Sequence, residues 1–361
     1  MKSLFGRLLL RITFSVLIAL NLLQVAYSSQ NNGYATVLIF HRFGDKRYPS
    51  TSVSLEDFRR EMEYLKENGY RVVSLRELYN EVRSGMKIPP KTVVITIDDG
   101  YKTTLKAFKI LKDLGFPFTV FLYMEAVGRY PDFLTLSDLK EMETSGLVDF
   151  ENHLYSHPDL GKLRIRLTKE KYLKILKREK ELSEKKFYKI FKRKPEFLAF
   201  PYGNYDKLSV KFFKNAGYKL LMTQDRGAYN GKSYLVPRMA IVGSQSGFKN
   251  FLEDLRIEPL PVVKHYPDYG LVERNSFKPI FWIEEAENYK NCWIYGTKNG
   301  WVRAKKSGSM VVSEGKIYIR RYATRIGIKC WNRRTNRRTE YFFLVLKGER
   351  APRKTKIEFH R

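Results

Sequence analysis

A β-branched run that ends in two carboxylates limits what this chain can fold into. Residues 93–97 are apolar apart from one threonine, and they lead directly into Asp98, Asp99 and Gly100. This pattern predicts a buried strand followed by a sharp turn. In barrels and open α/β sheets, catalytic groups lie at this end of a strand. The alternative is an ordinary Asp-Gly turn after a strand.

Two histidines supply a second candidate group. Adjacent carboxylates repel each other unless a bound cation separates their roles, with one as ligand and the other as base. His153 and His157 lie four residues apart, a spacing that points both imidazoles the same way on a helical turn or tight loop. Two histidines and one aspartate suit Zn²⁺, with Co²⁺, Ni²⁺ or Fe²⁺ as alternatives. We therefore predict a metal site, against the alternative that the histidines form a polar surface.

Predicted strands and helices alternate between residues 35 and 222. A helix is expected to begin at Ser52 or Ser54, and a long basic helix is expected over residues 168–191. Each candidate site residue follows the C-terminal end of a predicted strand. The alternation predicts an α/β fold with a parallel sheet, and the placement of the site residues is that of a barrel.

Five segments, in unbroken order over residues 35–245, resemble the polysaccharide deacetylase (NodB-homology) family. Thr-Ile-Asp-Asp-Gly at 96–100 and His-Leu-Tyr-Ser-His at 153–157 are similar to its first two motifs. Residues 37–43, 197–205 and 235–238 resemble motifs of its poly-N-acetylglucosamine deacetylase subgroup. The resemblance implies an irregular (β/α)7 barrel and removal of N-acetyl groups from an N-acetylated hexosamine polysaccharide.

The resemblance and the chemistry together suggest a role for each group. Asp99, His153 and His157 would hold the metal, and Asp98 would act as the base. Amide hydrolysis also needs an acid for the leaving nitrogen, and His41 resembles the acid of the subgroup. The alternative for His41 is a core histidine whose neighbours satisfy its hydrogen bonds.

The resemblance further assigns oxyanion stabilisation to the backbone N–H of Tyr202. This chain departs from the family in two places. Phe200 stands where many members have an arginine that orients the base, so we expect Arg238 to supply that charge from another strand. The alternative is that Arg238 is a surface arginine. Leu154 replaces a usual serine or threonine, which we expect to loosen the site.

The N-terminus has the pattern of an export signal. A short basic segment precedes the apolar run 12–26, and small residues follow near Ser28. We expect residues 1–28 to be a signal peptide and the protein to be periplasmic, cell-surface or secreted, with an uncleaved anchor as the alternative. The net charge of +29 then suggests an anionic envelope polymer or membrane surface as a partner, and export argues against nucleic acid as one.

The C-terminal third does not follow the family pattern. We expect a catalytic domain over residues 33–255, a linker over 256–280 and a basic β-rich module over 281–361. Residues 301–361 hold 18 Lys and Arg against four Asp and Glu, and all four tryptophans lie after residue 280. The tryptophans either stack on sugars or fill a small core. Cys292 and Cys330 either form a disulfide or remain free thiols.

These observations favour a metal-dependent deacetylase. The alternative is a catalytically inactive barrel that binds an envelope glycan. The sequence does not distinguish a poly-N-acetylglucosamine substrate from peptidoglycan-like or chitin-like ones.

Overall fold

Residues 35–254 form a parallel sheet surrounded by helices. The computed structural model describes residues 33–348, so the expected signal peptide lies outside the described residues. The strands are β1 (Ala35–Phe40), β2 (Arg42–Phe43), β3 (Ser52–Val53), β4 (Arg71–Val73), β5 (Thr92–Asp99), β6 (Phe118–Leu122), β7 (Val148–Asn152), β8 (Phe197–Ala199), β9 (Leu220–Met222), β10 (Leu235–Val236) and β11 (Met239–Ala240). The helices are α1 (Leu55–Glu67), α2 (Leu75–Arg83), α3 (Thr104–Leu114), α4 (Leu136–Thr144), α5 (Leu160–Arg166), α6 (Lys169–Phe191), α7 (Lys207–Asn215) and α8 (Phe248–Asp254).

The parallel sheet curls into an irregular barrel. Its strand order is β10-β9-β8-β7-β6-β5-β1-β11, with β4 paired to β5 off this path. The two edge strands, β10 and β11, are consecutive in the chain and are separated only by Pro237 and Arg238. One extended segment therefore pairs with β9 at its start and with β1 at its end. Counted as one, this segment gives seven strand positions, and the predicted α/β barrel is confirmed.

Local sequence signals explain where the helices begin and end. The N-cap of α1 is Ser54, whose side chain accepts a hydrogen bond from the backbone N–H of Asp57. Thr168 caps the long helix α6 in the same way. Helix α3 ends at Gly115, which adopts the left-handed conformation that a glycine tolerates without strain.

One carboxyl group of the barrel is buried without a partner. Glu61 on α1 is fully buried, and neither of its carboxyl oxygens has a hydrogen-bond partner among the described residues. Burial, with a smaller contribution from the nearby charges of Asp57 and Asp254, raises the pKa of Glu61 from its ordinary 4.5 to about 9.

Glu61 should therefore make the protein less stable as pH rises. The folded state keeps a proton on Glu61 that the unfolded chain releases near pH 4.5, so stability falls between about pH 4.5 and 9. We expect Glu61→Gln to gain roughly 2–3 kcal/mol of unfolding free energy relative to the unaltered protein between pH 6 and pH 8. Urea unfolding at the two pH values measures this. Equal pH dependence in both proteins would contradict the buried, protonated Glu61.

The C-terminal part forms a separate, mostly antiparallel sheet. Its strands are β12 (Glu258–Pro259), β13 (Val262–Tyr266), β14 (Gly270–Val272), β15 (Ser276–Phe277), β16 (Ile280–Ile283), β17 (Tyr289–Gly296), β18 (Gly300–Ser307), β19 (Met310–Ser313), β20 (Ile317–Tyr318), β21 (Ala323–Asn332) and β22 (Arg338–Lys347). The order of the larger sheet is β12-β22-β21-β17-β18-β19-β16-β13, with β14 paired to β22, and β15 pairs with β20. The all-β module expected from the sequence is therefore present. The segment 256–280, predicted as an irregular linker, instead contributes β12 to β15.

The structure answers two questions that the sequence left open. Cys292 and Cys330 form a disulfide that joins β17 to β21. The tryptophans do not fill the core of the module, because its buried cluster consists of aliphatic residues, phenylalanines, a tyrosine and the two cysteines.

The second sheet packs directly against the barrel. Leu344 and Leu346 of β22 join an apolar cluster that contains Leu160 of α5 and Phe200. Arg226 forms ion pairs with Asp254 of α8 and with Glu340 of β22, and these link the barrel to the second sheet. Within residues 33–348, no helix has the length and apolar character needed to cross a membrane.

Candidate active site

All seven predicted site residues lie at the C-terminal ends of barrel strands. His41 follows β1, Asp98 and Asp99 end β5, His153 and His157 follow β7, Tyr202 follows β8, and Arg238 lies between β10 and β11. This end of the barrel also holds residues with left-handed backbones: Asp99 (φ 72°), Leu154 (φ 64°), His157 (φ 53°) and Tyr202 (φ 59°). Such conformations cost about 1–3 kcal/mol each and cluster at functional sites.

Asp99 and the two histidines converge on one point. Asp99 Oδ1 lies 3.3 Å from His153 Nε2 and 3.0 Å from His157 Nε2. His153 Nδ1 lies 2.8 Å from the carbonyl oxygen of Ala199, so that N–H donates there and Nε2 is left to face Asp99. Burial disfavours the charged form of Asp99, but the two imidazoles beside it more than offset this, and its pKa lies well below the ordinary value.

The donor set fits a divalent metal ion. The three ligand atoms lie within 4.8 Å of one another. Asp99 Oδ1 is buried, and no protein group in the described part of the chain satisfies it with a well-aligned hydrogen bond. Ligands of a tetrahedral ion held at ~2.0–2.1 Å are spaced by about 3.3 Å, close to the distances found here.

Residues outside the triad hold the histidine loop in place. Glu179 on α6 accepts hydrogen bonds from the backbone N–H groups of Tyr155 (3.0 Å) and Ser156 (2.8 Å), and from the Ser156 hydroxyl. Asn152 accepts one from the N–H of Leu154. The role of Glu179 was not predicted from the sequence, because one glutamate on a helix rich in lysine and glutamate resembles any solvated residue.

Asp98 is paired with an arginine from the far edge of the sheet. Arg238 Nη1 and Nη2 donate to the two carboxyl oxygens of Asp98 at 2.7 and 2.8 Å, and both side chains are fully buried. Arg238 Nε also donates to the carbonyl oxygen of Thr223. Burial raises the pKa of Asp98, but the Arg238 guanidinium more than offsets this, and the net shift is downward.

This pair explains the departure from the family at residue 200. Phe200 packs inside an apolar cluster and stacks on Tyr205, so it makes no polar contact with Asp98. Arg238 makes the contact instead, and the alternative of a surface arginine is wrong. Leu154 belongs to the same apolar cluster as Phe200, which accommodates the second departure by packing.

His41 and Tyr202 border the triad. The Nδ1 atom of His41 is buried without a hydrogen-bond partner in residues 33–348. Burial lowers the pKa of His41, and the charges of Asp99 and Asp98 partly oppose this, which places all three in one electrostatic environment. The Tyr202 ring is half exposed, and its centroid lies 4.7 Å from that of His157.

Comparison with known proteins assigns the barrel to a family. The family profile described as polysaccharide deacetylase matches residues 85–221. A poly-β-1,6-N-acetyl-D-glucosamine N-deacetylase of Staphylococcus aureus is 30% identical over 246 residues, which are 65% of this chain and 81% of that protein. The chain belongs to the polysaccharide deacetylase family. The resemblance to its poly-N-acetylglucosamine subgroup, predicted from the motifs, is confirmed.

Solved structures of family members support the fold. IcaB from Ammonifex degensii has a TM-score of 0.53 at 22% identity and covers 62% of this chain and 97% of its own. The polysaccharide deacetylase BC0361 from Bacillus cereus has a TM-score of 0.52 at 23% identity and covers 62% of this chain and 69% of its own.

Proposed function

We propose that this polysaccharide deacetylase family member removes N-acetyl groups from an N-acetylhexosamine polysaccharide outside the cytoplasm. The observation that carries the proposal is the unsatisfied, buried Asp99 oxygen that faces two imidazoles beside an arginine-paired Asp98. Asp99, His153 and His157 would hold the metal, and their donor set favours Zn²⁺. When bound, the ion supplies Lewis acidity and lowers the pKa of a water molecule.

The residues of the chain supply the proton transfers. Asp98 takes the proton from the attacking water, and Arg238 holds both oxygens of Asp98 in position for that transfer. His41 donates a proton to the leaving nitrogen, which is otherwise a poor leaving group. The backbone N–H of Tyr202 donates to the carbonyl oxygen as negative charge develops there.

The substrate proposal rests on the relatives and on the N-terminal sequence. The Staphylococcus aureus relative is named for a β-1,6-linked N-acetylglucosamine polymer. A polymer of that kind is the first substrate to test, followed by peptidoglycan-like and chitin-like oligomers. The signal-like pattern of residues 1–28 supports export, which would bring the protein to such polymers.

Metal removal tests the proposal. We expect chelation to abolish acetate release from N-acetylglucosamine oligomers and Zn²⁺ to restore it, because the bound ion supplies the Lewis acidity and lowers the pKa of the water molecule. His157→Ala should reduce bound metal, whereas His265→Asn, in the second sheet, should not. Tight metal binding without acetate release from any oligomer would favour the inactive glycan-binding barrel, and failure to bind metal would contradict the metal site itself.

A further inference from the structure

The second sheet presents a row of aromatic and basic side chains to solvent. In β17 and β21, alternate residues such as Ile294, Ile326 and Ile328 are buried in the core of the module, and Val302 and Ala304 of β18 pack against it. The residues between them lie on the opposite face of the sheet. We name these the aromatic-basic strip: Trp293 and Tyr295 on β17, Trp301 and Arg303 on β18, and Lys329 and Trp331 on β21.

The strand register interleaves cations with aromatic rings. Trp293 pairs with Arg303 on one side and with Lys329 on the other, and Tyr295 pairs with Trp301. Lys329 Nζ lies 4.1 Å from the ring centroid of Trp301 and 5.7 Å from that of Trp331. Trp301 is 36% exposed. Exposed cation–π pairs add only about 0.5–1 kcal/mol each to folding, so these cations contribute little to the stability of the module.

The aromatic-basic strip continues from the candidate active site. Arg325 lies on the same face of β21 as Lys329, and its guanidinium donates to the carbonyl oxygen of Gly203 (3.1 Å) and binds Asp225. The residue before Gly203 is Tyr202, whose ring packs on the metal-site histidine His157. From Arg325 to Trp331 the strand runs about 20 Å, long enough to follow several sugar rings.

Gly203 allows the side chain of Arg325 to lie close to the loop that carries Tyr202. A Cβ atom at position 203 would lie 2.6 Å from Arg325 Nη2 and 2.6 Å from Gln224 Cβ, and its φ of +61° also favours glycine. A side chain at position 203 would occupy the space that the Arg325 guanidinium fills, so glycine permits the contact between β21 and this loop.

The outer end of the strip is a basic groove. It has a volume of about 700 Å³ and is lined by Trp293 and Trp331 together with Lys290, Arg303 and Arg333. Glu314 is the single acidic residue that lines it. The charge of this groove complements an anionic ligand, and its aromatic walls suit the apolar faces of sugar rings.

We propose that the aromatic-basic strip binds a carboxylate-bearing stretch of the polysaccharide whose N-acetyl group enters the active site. This inference rests on the deacetylase function proposed above and names its substrate class. Tryptophans stack on the sugar rings, and lysine and arginine pair with the carboxylates. A neutral polymer would leave these cations unpaired, and each new amine made by deacetylation would be repelled by them, which favours release of the product.

Binding of the full-length protein to four probes tests this inference. The probes are hyaluronan, which alternates N-acetylglucosamine with a carboxylate sugar, neutral N-acetylglucosamine oligomers, polyglutamate, and phosphatidylglycerol vesicles. We expect the tightest binding to hyaluronan and a steep loss of affinity as salt rises. Trp301→Ala and Trp331→Ala should each weaken hyaluronan binding by about tenfold.

Trp282→Ala is the matched control. Trp282 also carries a cation, Lys264 Nζ at 5.1 Å, but it lies on β16, outside the strip. This variant should bind hyaluronan like the unaltered protein. Equal losses in all three tryptophan variants would overturn the proposal, and so would stronger binding to polyglutamate or to the vesicles.

Binding and catalysis are measured separately. Asp98→Asn should still bind hyaluronan, so the strip is tested even if no acetate is released. Hyaluronan binding that depends on Trp301 and Trp331, with no acetate release from any N-acetylglucosamine polymer, would retain the strip as a polysaccharide-binding surface and reject the deacetylase. Acetate release without hyaluronan binding would retain the deacetylase and reject the strip as its binding surface.

Discussion

Asp98→Asn should lower kcat for acetate release by about three orders of magnitude, because a general base contributes roughly 10²–10⁴ to such a rate. Asparagine has nearly the same shape as aspartate but cannot take a proton from water. Metal content should remain unchanged, since Asp99 and not Asp98 faces the two histidines. Initial rates on N-acetylglucosamine oligomers, measured beside metal content, give both quantities.

A surface aspartate provides the control. Asp132 is 39% exposed and pairs with the exposed Arg47 near the same end of the barrel. Asp132→Asn removes one charge without touching the site, and we expect its kcat to stay within about twofold of the unaltered protein. An Asp98→Asn protein that keeps its metal and full activity would reject Asp98 as the base.

The sequence predicted the part of the site that depends on local spacing. Asp98 and Asp99 end a continuous apolar run, and His153 and His157 lie four residues apart, so each pair is recognisable within one short segment. The contact between Arg238 and Asp98 depends on residues 140 positions apart. It was expected only because Phe200 cannot carry the charge that many relatives place there.

Most strands of the second sheet were predicted from the sequence, but the way in which they pair was not. Strands β12 and β15 have two residues each and lie among prolines, so no alternation of apolar and polar residues reveals them. Alternation along β17 does predict two faces. Which face is buried depends on partner strands far away in sequence, and the tryptophans could therefore not be assigned to the core or to the surface.

Arg238→Met should destabilise the protein by about 3–5 kcal/mol, because it leaves Asp98 as a buried charge without its partner. Methionine fills much of the same space, so the loss of charge pairing dominates over a cavity. Urea unfolding of the metal-loaded protein measures the change. Arg47→Met is the control. Arg47 is exposed, and its partner Asp45 keeps a second ion pair with Arg42, so the loss of Arg47 should cost at most about 1 kcal/mol.

A double-mutant cycle distinguishes pairing from simple packing. If Arg238 acts by neutralising Asp98, the double variant Asp98→Asn/Arg238→Met should lose less stability than the two single variants combined, because no buried charge remains unpaired. The two side chains are in direct contact at 2.7 and 2.8 Å, which is where such coupling is expected. Strictly additive losses would mean that Arg238 supports the barrel through its bonds to Thr223 and Thr96 instead, and the orientation of Asp98 would then need another cause.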